Sequence, residues 1–531
     1  MSTQLLVGGR IYSSSNPDAT AMAVSDGIVV WVGLDKPGRA LHPDAEIIEL
    51  DGAFVAPGFV DPHVHVTGLG LTLTGLDLAQ ARSLEECLRL VREFAAAHPD
   101  GVILGEGWDE TTWAGGRPPA REEIDAAAPG RQVYLARVDA HSAVASSALL
   151  DAVPGITEAA GFTRGEPLRA DAHHRVRRAA LGALNRAQRD AARQVALDAA
   201  AANGVVAVHE CAGPEISGAD DVRELLEFGH GVEVRAYWGQ AVRTADEART
   251  LVKELGVHAL GGDLFVDGAL GSHTAWLREP YADRDTTGTS YLDTEAIAAH
   301  ILACTEAGLQ TGFHVIGDAA MDAVVAGFER VVGELGGPAV ASRGHRLEHA
   351  EMMTADQIGK LAAWGVIASV QPGFDAAWGG PDGMYATRLG AGRAATLNNF
   401  AAMAAAGISL AIGSDAPVTA LNPWEAIRAA VNHRTPGHQI SPRAAFAAAT
   451  RGAWRAGGVR DGVAGTLVPG APASYAIWDA RELVVAAAAD TVQRWSTDPR
   501  SRVPGLPPLT PDATLPRCLR TVHRGVTIHE A

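Results

Sequence analysis

Hydrophobic positions change texture twice along the chain. Near the N-terminus short apolar runs, Gln4 to Tyr12, Ala21 to Ser25 and Ile28 to Gly33, are separated by turn-forming Ser13-Ser14-Ser15-Asn16-Pro17 and Asp26-Gly27. This pattern predicts a small β unit. From about Val55 to Gly458, apolar runs of strand length alternate with Ala-rich stretches such as Ala172 to Ala202, Ala296 to Ala307, Ala319 to Val332 and Thr354 to Trp364. Strand-then-helix repetition sustained this long predicts an α/β fold built on a parallel (β/α)8 TIM barrel. Gly465 to Pro469, a strand at Ser474 to Asp479, a Pro-rich connection from Pro499 to Pro516 and a last strand near Thr521 to His529 then return to β texture. The expected organisation is a small composite β domain formed by residues 1–54 and 459–531, around a barrel at 55–458 with an insertion at about 80–170.

Composition narrows the function. A chain of 531 residues exceeds the size at which one core stops growing, in keeping with two domains. The net charge of −18, from 44 Lys and Arg against 62 Asp and Glu spread along the chain, argues against a nucleic-acid partner. The first ten residues carry no basic leader, and the most apolar run, Ala401 to Gly413, is too short to span a bilayer. A cytoplasmic protein without a membrane partner is expected. Cys87, Cys211, Cys304 and Cys518 lie far apart with no C-x-x-C spacing, which suits reduced thiols better than a disulfide frame.

The candidate chemistry begins with His63 and His65, an H-x-H pair that closes the apolar run Phe54 to His65. Residues at i and i+2 of a strand point to one side, so both imidazoles can aim at a single metal ion. The plausible later strands are Gly204 to Glu210, Val232 to Trp238, Asp263 to Asp267, Thr311 to Val315, Arg346 to His349, Val366 to Val370 and Ile408 to Asp415. Their C-terminal ends would share the rim where barrel enzymes keep their sites, and three of them carry His314, His349 and Asp415. Four histidines and a carboxylate converging there predict a centre for a metal such as zinc.

The motifs Pro57-Gly58-Phe59-Val60-Asp61-Pro62-His63-Val64-His65, Gly107-Trp108-Asp109, Asp267-Gly268-Ala269-Leu270-Gly271-Ser272, His314-Val315-Ile316-Gly317-Asp318, Glu348-His349-Ala350 and Gly413-Ser414-Asp415 make a specific set. Through them nearly the whole chain resembles the amidohydrolase superfamily, in the branch of the N-substituted formamide deformylases. The resemblance implies a barrel with a composite β domain, one or two divalent metals and hydrolysis of a C–N bond. One position departs from it. Where many relatives carry a carbamylated lysine that bridges two metals, four residues before the D-G-x-L-G-S aspartate, this chain has Asp263. Direct ligation by Asp263, replacement by Glu210 or Asp267, and a single metal are all open. The single metal asks for least, with Asp263 as a hydrogen-bonded strand-end carboxylate.

The mechanism expected is attack of a metal-activated water on an amide carbonyl, with His349 helping to orient the water or polarise the carbonyl. Asp415 would take the water's proton and pass it to the departing nitrogen. Trp108 and His141 in the insertion, with Asp267 and His273 after the fourth strand, are candidate substrate contacts for a small molecule. The Arg-rich stretch through Arg175, Arg177, Arg178, Arg186 and Arg189 reads as a solvated helix face, and His173 and His174 within it as non-ligands. A single-metal deaminase of a cyclic amidine or nucleobase-like ring is the alternative, although Gly317 stands where such enzymes usually carry glutamate. A non-catalytic relative that keeps the barrel is a second alternative, and homo-oligomerisation is possible in either case.

Overall fold

Eight short parallel strands carry the middle of the chain in the computed structural model, which describes residues 3–480, 482–485 and 503–531. β1 (Phe59–Val64), β2 (Val205–Ala212), β3 (Glu233–Trp238) and β4 (Ala259–Leu260) form one sheet in the order β4-β3-β2-β1. β5 (Gly312–Val315), β6 (Arg346–His349), β7 (Ile367–Val370) and β8 (Ser409–Ile412) form a second in the order β5-β6-β7-β8. Single parallel bridges, Val64 to Ala416 and Leu260 to Thr311, touch the two sheets together at both edges, while the continuous ladders stop there. Every residue of β1, β2, β5, β6 and β7 is buried. Strands covered on both faces favour apolar side chains, hence the largely apolar runs of the sequence, β6 with its buried Arg346, Glu348 and His349 being the plainest exception.

Helices fill the connections where local signals start and stop them. Thr244 with Glu247, and Thr354 with Gln357, form capping boxes that satisfy the first free N–H groups of the helices Ala245–Leu255 and Ala355–Ala363. Gly256 and Gly308 end their helices in the left-handed region.

Three expectations need correction. The run Phe54 to His65 is two strands, because Gly58 breaks it: Phe54–Pro57 joins another sheet, and a Cβ at Gly58 would lie 2.4 Å from the Val206 side chain. The stretch Ala172 to Ala202 is two helices, Ala170–Gly182 and Arg186–Ala202, since Asn185 caps the second with Gln188. The fourth strand pairs at Ala259–Leu260, and the run from Asp263 to Asp267 follows it with a single bridge from Phe265 to His314.

Outside the parallel sheets lie three others. The insertion builds a five-stranded sheet, ordered Leu168–Arg169, Ser142–Ala145, Val133–Arg137, Ile103–Trp108 and Leu76–Asp77, over its own apolar cluster containing Val91, Trp108 and Ile124. Strands Arg10–Ile11, Phe54–Pro57, Tyr475–Asp479, Arg517–His523 and Val526–Glu530 share a second sheet, in that order. The third, of four strands, contains Gln4–Val7, Ala21–Ser25, Ile28–Gly33 and Glu46–Glu49. Leu6, Ile11, Val55, Tyr475, Ile477 and Val522 pack in one core drawn from both ends of the chain. Part of the Pro-rich connection, residues 499–502, lies outside the described residues. All four cysteines are buried and free, and no helix among the described residues is long and apolar enough to cross a membrane.

Candidate metal centre

His63 is buried near the end of β1, and His65 lies just past it, opening the helix Val66–Thr74. The end of β1 is stitched to the loop after β8 by three sets of bonds. Asp61 accepts from the backbone N–H groups of His63 and Ser414 at 3.1–3.2 Å; Asp415 N donates to His63 O, and His65 N to Ala416 O, both at 2.9 Å. Gly413 permits the approach, for a Cβ there would lie 2.5 Å from Asp61 Oδ1. His349 and Asp415 both sit in the left-handed region, φ +66° and +56°. Non-glycine residues held there store strain of roughly 1–3 kcal/mol each, and such positions cluster at functional sites.

Four side chains converge on one point. His63 Nε2 is 3.4 Å from Asp263 Oδ1 and 3.3 Å from Asp415 Oδ1; His65 Nε2 is 3.2 Å from both Asp263 Oδ2 and Asp415 Oδ1. Donors bound to a zinc ion at about 2.1 Å and near-tetrahedral angles stand about 3.4 Å apart, so these separations are the edges of a coordination polyhedron. His63 Nε2, Asp263 Oδ1 and Asp415 Oδ1 are buried and have no hydrogen-bond partner despite their closeness. Buried polar atoms are rarely left unsatisfied, and here three of them face one another. The residues therefore fit a divalent cation. His63, His65 and Asp415 form one group with metal-ligand spacing, and His63, Asp263 and His349 a second.

Outer partners aim these ligands. His63 Nδ1 bonds Glu348 Oε2 at 2.9 Å, and Glu348 is gripped by Arg346 through Nε at 2.5 Å and Nη2 at 2.8 Å. Burial works to raise the Glu348 carboxyl, but the Arg346 guanidinium and the His63 bond outweigh it and hold it at about 2. A carboxylate on Nδ1 fixes the tautomer and leaves Nε2 to bind. Gln371 Oε1 does the same for His349 Nδ1 at 2.8 Å, leaving Nε2 3.9 Å from Asp263 Oδ1. Burial opposes charge on His65, yet the hydrogen bonds and charges of the Asp263 and Asp415 carboxylates lift it to about 9.

His314 stands beside this group. Its ring lies 4.4 Å from that of His349 and 4.9 Å from that of His141, and both its nitrogens are buried without a partner. His141, His314, His349 and Asp415 line one narrow cleft with Phe374 and Trp378.

Three expected substrate contacts fall elsewhere. Trp108 is fully buried in the insertion's core, its Nε1 donating to Leu135 O at 2.9 Å, because its strand presents it to that core and not to the rim. Asp267 is also fully buried, accepting from the backbone N–H groups of Ile316, Gly317 and Trp276 at 2.7–3.0 Å. It braces the loop after β5, and burial raises its carboxyl to about 7 against those bonds. His273 bonds Asp283 at 3.0 Å and packs edge-on against Tyr281, outside the cleft.

Asp263 is the opposite case. Its position among the histidines, with Oδ1 unpartnered, overturns its reading as a satisfied strand-end carboxylate. Glu210 accepts from Val66 N at 2.7 Å and lies at the edge of the group. Sequence reasoning missed the orienting roles of Glu348, Arg346, Gln371 and Asp61, although Arg346 and Glu348, two apart on a buried strand, are a charged pair on one face.

Residues 46–529 match the amidohydrolase family, and the chain belongs to it. Fold and site together define a metal-dependent hydrolase. The chain is 29% identical to the protein LONG AFTER FAR-RED 3 of Arabidopsis thaliana over 90% of this chain and 88% of that one. It is 28% identical to the putative amidohydrolase YtcJ of Bacillus subtilis over 82% and 84%, respectively. A shorter stretch, 27% of each chain, is 30% identical to the N-substituted formamide deformylase of Arthrobacter pascens. Among solved structures, an uncharacterized metal-dependent hydrolase from Pyrococcus furiosus superposes with a TM-score of 0.68 at 27% identity, covering 90% of this chain and 98% of that one.

Proposed function

We propose that the protein hydrolyses a C–N bond, of amide or formamide type, in a small molecule. The observation that carries this reading is the convergence of His63, His65, Asp263 and Asp415, with the inward atoms of His63, Asp263 and Asp415 unpartnered. In this reading the two parallel sheets are the halves of one (β/α)8 barrel, and the sheet shared by the chain ends is the composite β domain. His63, His65, His314, His349, Asp415 and Asp263 would hold one or two divalent ions, zinc being the first choice for an imidazole and carboxylate set. When bound, such an ion makes water acidic enough to act as a nucleophile near neutral pH and withdraws charge from a carbonyl oxygen.

The chain's own groups do the rest. Asp415 takes the water's proton and delivers it to the nitrogen as the C–N bond breaks, because an amine anion is too poor a leaving group to depart alone. His349, its Nδ1–H donated to Gln371, turns Nε2 toward the centre as a further ligand, and His141, which lines the same cleft, would contact the substrate. Ring deamination is less well supported. A Cβ at Gly317 would lie 2.1 Å from Trp276 O, so the glutamate of single-metal deaminases has no room at that position.

The test is a panel of N-substituted formamides, N-acyl amines and cyclic amidines offered to zinc-loaded protein, with amine and ammonia release followed separately. Amine release from formamides or amides is expected. Ammonia from ring substrates alone would replace this reading with the deaminase.

A further inference from the structure

A cavity of about 290 Å³ adjoins the metal centre, with His65 and Glu210 in its wall. Its size is at the small end for ligand pockets, suited to a compact substrate. Leu71, Leu104, Leu181 and Ile216 supply apolar surface, and the helix Ala170–Gly182 contributes Arg177.

Apart from Ser217 Oγ, which is buried without a partner, the other acidic and hydroxyl groups of this wall are satisfied within the protein. Glu106 bonds Thr72 Oγ1, Glu210 accepts from Val66 N at 2.7 Å, and Tyr134 Oη bonds His173 Nε2 at 2.7 Å. Asp221 pairs with Arg193 at 2.7 Å, Asp220 with Arg223 at 3.2 Å and Glu215 with Arg178. The neighbouring arginines are matched too, Arg175 with Asp171 at 2.8 Å and Arg189 with Glu224 at 2.8 Å. Arg177 differs. It is half-buried in the cavity wall and, among the described residues, makes no hydrogen bond or ion pair. A guanidinium offers five donors in a planar fork that matches a carboxylate, and leaving it without one next to apolar surface is unfavourable.

We infer that this cavity holds the part of the substrate beyond the scissile bond, and that Arg177 binds a carboxylate on it. The substrate class becomes an amide or formamide with a short aliphatic body and a terminal carboxylate. The inference rests on the C–N hydrolase reading. With N-formyl-β-alanine, water would add its oxygen to the formyl carbon, the C–N bond would break and the nitrogen would take a proton, giving formate and β-alanine.

The experiment compares N-formyl-β-alanine with N-formylpropylamine, its neutral counterpart, on the wild type, Arg177→Met and Arg177→Lys. Expected for Arg177→Met is a loss of roughly 10- to 100-fold in kcat/KM on the carboxylate substrate, carried by KM, with the neutral one changed less than about twofold. Arg177→Lys should recover part of it, since it keeps the charge without the fork. A second readout needs no turnover: butyrate should raise the Tm of the wild type and not that of Arg177→Met. Equal losses on both substrates, or equal stabilisation of both proteins by butyrate, would overturn the inference. If neither formamide is cleaved while butyrate still separates wild type from variant, the carboxylate site stands and the formamide reading falls.

Discussion

At the candidate metal centre His63 and Asp415 each combine an inward atom without a partner and an outward anchor. Asp415 is anchored through its backbone to His63 and is the proposed proton carrier. Asp415→Asn keeps the shape and removes the base, so kcat should fall by at least about 10³-fold with an unchanged circular dichroism spectrum. Wild-type turnover would refute the assignment. Glu348→Gln tests the outer partner differently. Weakening the His63 bond should lower metal affinity roughly 10- to 100-fold, read by titration with zinc against a chelating dye. Asp263→Ala removes two oxygens from the centre, and metal analysis should find less bound zinc than in wild type.

Sequence spacing pointed to the H-x-H pair, His314, His349 and Asp415, which the structure brings side by side, because each ends or follows an apolar run whose direction in a parallel sheet is fixed. The same reasoning failed for Asp263 and for Trp108. A carboxylate after a short strand has no periodic signature, and its surroundings depend on residues two hundred positions away. Trp108 lies in a family-like motif at a strand end, but its strand belongs to a separate sheet with its own core, and only tertiary structure assigns it there.

Elements meet at close contacts that tolerate no added atom. Gly70 lies where the helix Val66–Thr74 crosses Arg186–Ala202, and a Cβ on it would stand 1.8 Å from Ala192 O. Gly70→Ala must separate these helices and should lower stability by about 2 kcal/mol or more, measured by denaturant unfolding. Because the first helix begins at His65, the same change should also reduce metal binding.

A second contact between elements is electrostatic. Glu233 on β3 receives a hydrogen bond from His523, which outweighs the effect of burial; with Arg524 and Arg235 it lowers the carboxyl from 4.5 to about 2. A carboxylate depressed in the folded state adds stability that is complete above about pH 4.5 and disappears as pH falls toward 2. The Tm difference between wild type and Glu233→Gln should therefore be present at pH 6 and shrink through that window. A difference that grew on acidification would reverse the sign assigned here.

At the scale of the whole molecule the candidate metal centre lies where the two parallel sheets meet. His63 and His65 come from the end of β1, Asp263 from the run after β4, and His314, His349 and Asp415 from the ends of β5, β6 and β8. An ion bound only by the folded state stabilises it by mass action. Exhaustive chelation should lower Tm, and added zinc should restore it. No response to either would remove the ion from the account of this fold.

The alternation of strands and helices revealed the central α/β body directly, whereas the break at Gly58 was hidden, since one apolar run serves two sheets. That break has a consequence for synthesis. Phe54–Pro57 is made early, but its antiparallel neighbour Tyr475–Asp479 leaves the ribosome only after almost all of the chain between them. Through most of translation the edge opposite Arg10–Ile11 waits without its antiparallel partner, a template for mispairing until that late strand is made.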